Sequence, residues 1–199
     1  MNKIKKFVIL SCLIMLITGC KDIFTRENKT VNYLSGKYYV EMSIKNYGKV
    51  LMELDADTAP ITVTNFMDLV RSGAYDNNKI HRVQKDFVIQ AGSNIKGNTI
   101  KGEFLANGID NDISHVKGVI SMAREGTQTE GYNTASTQFF IVTENSTYLD
   151  NYYAGFGKVT KGMDVIDKIN KKSFETDSMG SILNESDMPI IEYIKEIEK

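Results

Sequence analysis

Apolar and polar residues alternate in two neighbouring segments near the start of the domain. Residues 38–44 (YYVEMSI) and 48–54 (GKVLMEL) have the period of two that is typical of half-buried strands. Between them lies the segment KNYG, in which Asn46 and Gly48 tolerate the backbone conformations of a tight turn. The pattern therefore predicts a β-hairpin.

After the hairpin, the apolar positions take on a helical spacing. Thr58 or Asp57 can cap the helix, and Pro60 fits its first turn. Its apolar stripe is predicted to consist of Ile61, Phe66, Leu69 and Val70. Gly73 can end this helix, and residues 161–170 (KGMDVIDKIN) predict a second one.

Several further short segments are strand-like. They are residues 80–90, 117–123, 137–143, 155–159 and 188–197. Many short strands with two helices predict a mainly β domain over residues 37–199, with no second domain boundary. The period of two does not distinguish a closed barrel from a sandwich.

The strand at residues 80–90 contains polar side chains in an otherwise apolar run. Alternation places Phe87 and Ile89 on one face, and Val88 and Gln90 on the other. A face with a glutamine two residues from an apolar side chain suits a pocket for a small molecule or a peptide.

The strand at residues 137–143 repeats this arrangement. Gln138 and Phe140 share one face, and Phe139 lies on the other. The alternative is that Val88 and Phe140 are ordinary core residues and the glutamines face water. Composition alone favours that alternative.

The first twenty residues have the pattern of an export signal. Three lysines precede a short apolar run, Phe7 to Ile17, which is too short to span a bilayer comfortably. The run ends in ITGC, which resembles the lipobox of bacterial lipoproteins and implies lipid attachment at Cys20. A plain cleaved signal or a short anchor is the alternative. We therefore predict a signal peptide at 1–19 and an acylated, polar tether at 20–36, for which a tail without a task is the alternative.

Charge and cysteine content limit the partners of the mature chain. Removal of the three signal lysines leaves 21 basic and 25 acidic side chains, a net charge of −4. Such a surface is not drawn to anionic lipid, so membrane attachment would come from acyl chains. With Cys12 removed and Cys20 acylated, no disulfide can form. No long basic run or zinc-like cluster supports nucleic-acid binding.

The usual catalytic motifs are missing from the sequence. There are two histidines, and we expect His81 to pack or hydrogen-bond structurally and His115 to lie in a loop. Asp150 is also expected in a loop, without a partner carboxylate. There is no metal-binding motif, glycine-rich phosphate loop or nucleophile elbow, so no metal or cofactor is expected.

Five blocks of the sequence resemble the cyclophilins, a family of peptidyl-prolyl cis–trans isomerases. The blocks are FMDLVRSGAYDNNKIHRVQKDFVIQAG, IKGEF, GVISMAR, NTASTQFFI and LDNYYAGFGKVTKGMDVI, and they extend from about Tyr39 to Ile191. The resemblance implies a closed eight-stranded antiparallel β-barrel capped by two α-helices.

The resemblance also implies the residues of the site. Arg82 matches the catalytic arginine of the family. The matching substrate-binding positions are Phe87, Val88, Gln90, Ala123, Arg124, Gln138, Phe140, Tyr148, Leu149 and Tyr153. Arg124 stands where many members have Asn, Tyr148 replaces Trp, and Tyr153 replaces His. The change at Tyr148 implies that cyclosporin binding would be weakened.

We therefore expect a monomeric prolyl isomerase that acts on proline-containing segments of exported proteins. Its expected location is the extracytoplasmic face of a bacterial cell membrane, held by the lipid on Cys20. Two alternatives remain open at this point. One is a cyclophilin-like module that binds proline-containing peptides without catalysis, and the other is a surface lipoprotein that binds a host or solute ligand.

Overall fold

The computed structural model describes residues 32–199. The predicted signal peptide, Cys20 and most of the tether lie outside the described residues. The strands are β1 (Lys37–Ile44), β2 (Gly48–Asp55), β3 (Asn78–Gln84), β4 (Val88–Ala91), β5 (Val119–Met122), β6 (Phe139–Val142), β7 (Gly155–Lys161) and β8 (Ile190–Glu196). The helices are α1 (Pro60–Arg71) and α2 (Met163–Lys171). None of the helices in this part of the chain is long and apolar enough to cross a membrane.

The eight strands close into an antiparallel barrel in the order β1-β2-β7-β5-β6-β4-β3-β8, and β8 returns to pair with β1. The hairpin of β1 and β2 pairs Lys37 with Asp55 and Ile44 with Gly48. Asn46 in its turn has a φ of 67° and Gly48 a φ of 127°. The predicted hairpin and the eight-stranded barrel with two helices are both confirmed.

An aromatic cluster fills the barrel where α1 packs against it. The ring of Phe66 lies 5.2 Å from Tyr75, 5.3 Å from Phe139 and 5.1 Å from Phe156, measured between ring centroids. All four rings are buried. The Tyr75 hydroxyl donates a 2.8 Å hydrogen bond to the Thr137 carbonyl, so its polar atom is paired inside the core.

The predicted apolar stripe of α1 is only partly right. Phe66 and Val70 are buried as expected, but Ile61 and Leu69 are only partly buried. The other apolar residues of the core face are Val63 and Met67. The apolar core face of the helix therefore consists of residues spaced three or four apart, which are Val63, Phe66, Met67 and Val70.

The predicted cap of α1 is wrong. The N-cap residue is Ala59, and neither Thr58 nor Asp57 caps the helix. The buried carboxylate of Glu103 instead accepts hydrogen bonds from the backbone N–H groups of Ile61 (2.9 Å) and Thr62 (2.7 Å). A carboxylate at a helix N-terminus satisfies unpaired donors and complements the helix dipole, so a distant residue performs the task of a local cap.

The ends of α1 follow the predicted positions of Pro60 and Gly73, whereas α2 begins two residues later than predicted. Pro60 occupies the first turn of α1, and Gly73, with a φ of 69°, follows its C-cap. The N–H of Gly73 donates to the Val70 carbonyl and that of Ala74 to the Leu69 carbonyl, the two bonds of a Schellman motif. Gly162 precedes α2 in a left-handed conformation.

Candidate active site

A row of paired residues crosses the outer face of the barrel wall formed by β3, β4, β6 and β5. Arg82 pairs with Gln90, Gln90 with Phe140, and Phe140 with Ser121. Directly paired residues on neighbouring strands project to the same face of a sheet. The four side chains therefore lie side by side, with an arginine and a glutamine next to a phenylalanine.

Ligand sites are usually cavities of about 300–1,000 Å³. An open cavity of about 460 Å³ lies over this row. Nine of the eleven residues predicted for the site line it. They are Arg82, Phe87, Val88, Gln90, Ala123, Arg124, Phe140, Leu149 and Tyr153. Its other lining residues are Gly126 and Met179. The structure thus brings together residues that are up to 97 positions apart in the sequence, as the contact of Arg82 with Met179 shows.

The predicted alternation holds on β6 and fails at the start of β4. Phe139 packs inside the barrel with Phe66, whereas Phe140 belongs to the separate outer apolar cluster. Phe87 was expected on the same face as Ile89, yet it packs against the outer cluster with Val88. The reason is that β4 begins at Val88, so Phe87 lies in the preceding turn and does not follow the strand period.

Three acceptors hold the guanidinium of Arg82. Nε donates to the Met179 carbonyl at 2.7 Å, Nη1 donates to Gln90 Oε1 at 2.9 Å, and Nη2 donates to Gln84 Oε1. Among residues 32–199, no ion pair includes Arg82. A guanidinium has five N–H donors, so two remain for a ligand after these three bonds.

The surroundings of Arg82 are partly apolar. Its guanidinium carbon lies 5.7 Å from the centre of the Phe87 ring. Burial lowers the pKa of Arg82, and the nearby Tyr153 and Asp177 oppose that shift. An arginine still keeps its charge at neutral pH, and a charge that is partly removed from water acts more strongly on a bound group.

Two of the predicted residues do not line the cavity. The Tyr148 ring stacks on Phe87 with centroids 5.8 Å apart, so it extends the rim. Gln138 accepts a 2.9 Å hydrogen bond from Gln90 Nε2 and lines a neighbouring cavity of about 310 Å³. Gln90 therefore connects Arg82 to Gln138 and fixes the orientation of both side chains.

Arg124 is held by backbone carbonyls of its own loop and of Tyr152 in a second loop. Nε donates to the Tyr152 carbonyl at 2.9 Å, and Nη1 donates to the carbonyls of Thr127 (2.8 Å) and Glu130 (2.9 Å). The guanidinium carbon lies 4.7 Å from the centre of the Tyr153 ring. Arg124 lines both cavities, and its contacts also fix the loop that forms their shared edge.

Sequence reasoning missed Gln84 and Met179, which hold Arg82. Gln84 lies two residues after Arg82 on β3, so the strand period could have placed it on the same face. Met179 lies in an irregular loop between α2 and β8. Its sequence carries no periodic signal that links it to Arg82.

Sequence reasoning also missed a buried polar group behind Phe140. His115 lies in a loop as predicted, but it is fully buried, and its Nδ1 donates to Asp150 Oδ1 at 2.8 Å. Its Nε2 lies 2.9 Å from Ser121 Oγ, and its ring stacks on Phe140 with centroids 6.2 Å apart. Asp150, which was predicted only to lack a partner carboxylate, also accepts from the Ser114 hydroxyl at 2.7 Å.

Burial and hydrogen bonds shift the pKa values of His115 and Asp150. Burial lowers the pKa of His115, and the hydrogen bond to Asp150 opposes the shift. Burial by itself would raise the pKa of Asp150, but hydrogen bonds from Ser114 and His115 lower it. The order serine, histidine, aspartate is that of a hydrolase triad, but Ser121 is fully buried and no substrate can reach it.

Comparisons with known proteins identify the family to which this chain belongs. A sequence model of the cyclophilin type peptidyl-prolyl cis-trans isomerase/CLD family matches residues 39–193. Peptidyl-prolyl cis-trans isomerase A of Dickeya dadantii (strain 3937) is 37% identical over 152 residues, which cover 72% of this chain and 76% of that protein. Peptidyl-prolyl cis-trans isomerase cyp18 of Streptomyces antibioticus is 35% identical over 153 residues, covering 72% and 87%.

Solved structures support the same fold. The crystal structure of a cyclophilin type peptidyl-prolyl cis-trans isomerase of Cryptosporidium parvum matches with a TM-score of 0.68 at 24% identity, over 82% of this chain and 99% of that chain. A structure of the same protein in the presence of the dipeptide ala-pro gives a TM-score of 0.67. By sequence, fold and family match, the chain belongs to the cyclophilin-type peptidyl-prolyl cis–trans isomerases.

Proposed function

We propose that this isomerase accelerates rotation about X–Pro peptide bonds at the 460 Å³ cavity, with Arg82 as its catalytic residue. The observation that carries the proposal is the guanidinium of Arg82, which three acceptors orient at the edge of an apolar cavity. Two of its donors remain for the substrate, and Phe87, Val88 and Phe140 provide apolar walls.

The reaction requires the rotation of a bond and no covalent change. The partial double-bond character of the peptide bond gives a barrier of roughly 18–20 kcal/mol. X–Pro bonds populate both isomers but exchange in tens to hundreds of seconds without a catalyst. A catalyst must therefore bind the twisted amide more tightly than either planar form.

Arg82 is suited to that task because twisting changes where the amide accepts hydrogen bonds. Loss of resonance leaves a lone pair on the proline nitrogen and changes the charge on the substrate carbonyl. Arg82 donates to one of these atoms as the bond twists. Gln90 and Gln84 hold the guanidinium so that little reorganisation is needed at that moment.

The apolar walls have a separate task, which is to grip the proline ring. Phe140 forms the floor, and Leu149 and Tyr153 complete the opposite side. A gripped ring cannot turn with the rest of the substrate, so rotation is concentrated at the X–Pro bond. Exclusion of water from the cavity also strengthens the interaction of Arg82 with the amide.

The direct test is turnover of a proline peptide. The detergent-solubilised full chain and its Arg82→Ala variant are compared by NMR exchange spectroscopy. We expect fast exchange with the wild type and a loss of about 10²–10³ in kcat/KM for Arg82→Ala, the usual effect of removing one oriented donor. Circular dichroism melting checks that the variant is folded. Turnover at the wild-type rate in a folded variant would contradict the role of Arg82.

We further propose that the enzyme is anchored by lipid on Cys20 and assists the folding of exported proteins as a monomer. The signal-like residues 1–19 and the ITGC sequence support this location. The absence of cysteine from residues 32–199 also fits a domain that needs no disulfide. Mass spectrometry and membrane fractionation of the wild type and Cys20→Ala test it: an unacylated, membrane-free wild type would contradict it.

A second candidate function is a module that binds proline peptides without catalysis. The open cavity would serve binding alone equally well. Arg82 favours catalysis, because a site that only grips a proline ring does not need an oriented guanidinium. Peptide binding without turnover by the folded wild type would select this alternative.

A further inference from the structure

Two surfaces of different polarity border the 460 Å³ cavity. Beyond Gln90 and Ala123 lies the 310 Å³ cavity, whose walls include the polar residues Glu125 and Ser136. Next to Arg82, the cavity is lined by Met179, a residue with an apolar side chain. A peptide that places its proline in the cavity therefore meets a polar surface in one direction and an apolar side chain in the other.

The loop that carries Met179, residues 175–183, is fixed against β3. The Val83 N–H donates to the Gly180 carbonyl at 2.9 Å. Gly180 has a φ of 84°, and a Cβ atom added to it would lie 2.9 Å from Cβ of Gln84. Only glycine fits such a close approach in this conformation. The position of Met179 is therefore set by backbone contacts of its neighbour.

Met179 has two separate contacts with the site. Its carbonyl accepts the hydrogen bond from Arg82 Nε, and this contact does not depend on the side chain. Met179 also lines the cavity, and the residue is 62% exposed, so its side chain is free to meet a bound peptide. A Met beside a cavity suits a binding surface, because its unbranched side chain adapts its shape readily to different partners.

Another part of the rim of the cavity is formed by aromatic side chains. Phe87 lines the cavity next to Arg82, and Tyr148 stacks on Phe87 while remaining 61% exposed. Phe87 and Met179 thus line the same cavity, and Tyr148 extends its rim beyond Phe87. A charged side chain placed against this apolar rim would lose hydration and gain no partner from the rim.

We propose that Met179 is a specificity-determining residue, whose thioether contacts the side chain next to the substrate proline and favours an apolar one. The inference rests on the proposed function, since it takes the cavity to hold proline. Consecutive Cα atoms are 3.80 Å apart, so a residue adjacent to a proline in the cavity is within reach of the cavity wall. The polar neighbouring cavity receives the chain in the other direction.

Two series of tetrapeptides test the proposal. One series varies the residue before proline and the other the residue after it, with Leu, Ala or Asp at that position. The full chain, Met179→Ser and Leu183→Ser are compared by kcat/KM. Leu183 lies in the same loop and is 59% exposed, but it does not line the cavity, so it is the matched control.

We expect a preference for Leu over Asp in one series. Met179→Ser should reduce this preference by about three- to tenfold, the effect of losing part of an apolar contact. Leu183→Ser should leave it unchanged. A preference that is the same in Met179→Ser and in the wild type, in both series, overturns the proposal.

A binding measurement separates this proposal from the proposed catalysis. The full chain is labelled with ¹³C at its methionine methyl groups, and the Met179 signal is identified by its loss in Met179→Ser. We expect this signal to shift saturably when the Leu peptide is added. A shift without turnover would support the contact of Met179 with the peptide and contradict the proposed isomerase activity. The absence of a shift overturns the proposal for Met179, whether or not turnover occurs.

Discussion

Phe139 and Phe140 are neighbours on β6, and they belong to different parts of the molecule. Phe139 points into the barrel, where its ring lies 5.3 Å from Phe66 and 5.4 Å from Tyr75. Phe140 points outward, where its ring stacks on His115 and meets Tyr153 edge-on at 5.8 Å. One strand thus supplies a core residue and a site residue in consecutive positions.

The two faces differ in what surrounds the ring. The inner ring packs against other buried rings, and the one nearby hydroxyl, that of Tyr75, is paired with a backbone carbonyl. The outer ring lies between a buried histidine and the paired glutamine Gln90 of the cavity. The inner face therefore belongs to the buried core, whereas the outer face belongs to the candidate site.

The largest effect is expected from the inner ring. Phe139→Ala should destabilise the fold by about 3–5 kcal/mol, because it leaves a cavity among rings that cannot collapse into it. Urea unfolding followed by circular dichroism measures this change. A destabilisation of less than about 1 kcal/mol would contradict the central place of Phe139 in the core.

The neighbouring substitution should separate activity from stability. Phe140→Ala removes the floor of the cavity, and we expect kcat/KM to fall by about ten- to a hundredfold, as for a lost aromatic contact with the proline ring. Its destabilisation should be smaller than that of Phe139→Ala, because the space it leaves opens into an existing cavity. Activity assays and urea unfolding are made on the same preparations. Equal activity in Phe140→Ala and the wild type would remove the distinction between the two faces.

The smallest effect concerns the pH dependence of the outer face. Burial lowers the pKa of His115 in the folded protein, whereas the unfolded value is about 6.5. Below about pH 6.5 the unfolded chain therefore binds a proton that the folded chain does not bind. The free energy of unfolding consequently decreases as the pH decreases. His81, whose pKa burial also lowers, adds to the loss in the same range.

Urea unfolding at pH 7.5 and pH 5.5 tests this expectation. The wild type should be less stable at the lower pH, and His115→Gln should lose less stability than the wild type over the same interval. The variant keeps the contribution of His81, so its loss should be reduced and not abolished. The same loss in both proteins would show that His115 does not resist protonation in the fold.

Many of the strands could be predicted because their alternation of apolar and polar residues is a short-range pattern in the sequence. The alternation in β1 and β2 and the split between Phe139 and Phe140 follow from the strand period alone. The prediction failed at Phe87, where the chain leaves the strand period for a turn. It also failed at the cap of α1, because Glu103 lies 42 residues from the N–H of Ile61 that it binds.

The residues of the candidate site also divide into those that the sequence predicted and those that it did not. Resemblance identified Arg82 and its strand partner Gln90, because both lie in recognisable strand segments. It did not identify Met179, which reaches Arg82 only through the path of an irregular loop. Nor did it connect His115 to Asp150, 35 residues later, since no local pattern links a buried histidine to a distant carboxylate.

The most direct test of the account is the kcat/KM of Arg82→Lys beside that of Arg82→Ala. Lysine keeps the positive charge but lacks the planar fork that Met179, Gln90 and Gln84 hold in place. We predict that Arg82→Lys loses activity almost as severely as Arg82→Ala, by about 10²–10³, while both variants unfold at the same urea concentration as the wild type. Activity in Arg82→Lys close to that of the wild type would show that charge alone is sufficient, and would contradict the claim that oriented donors on the outer face perform the catalysis.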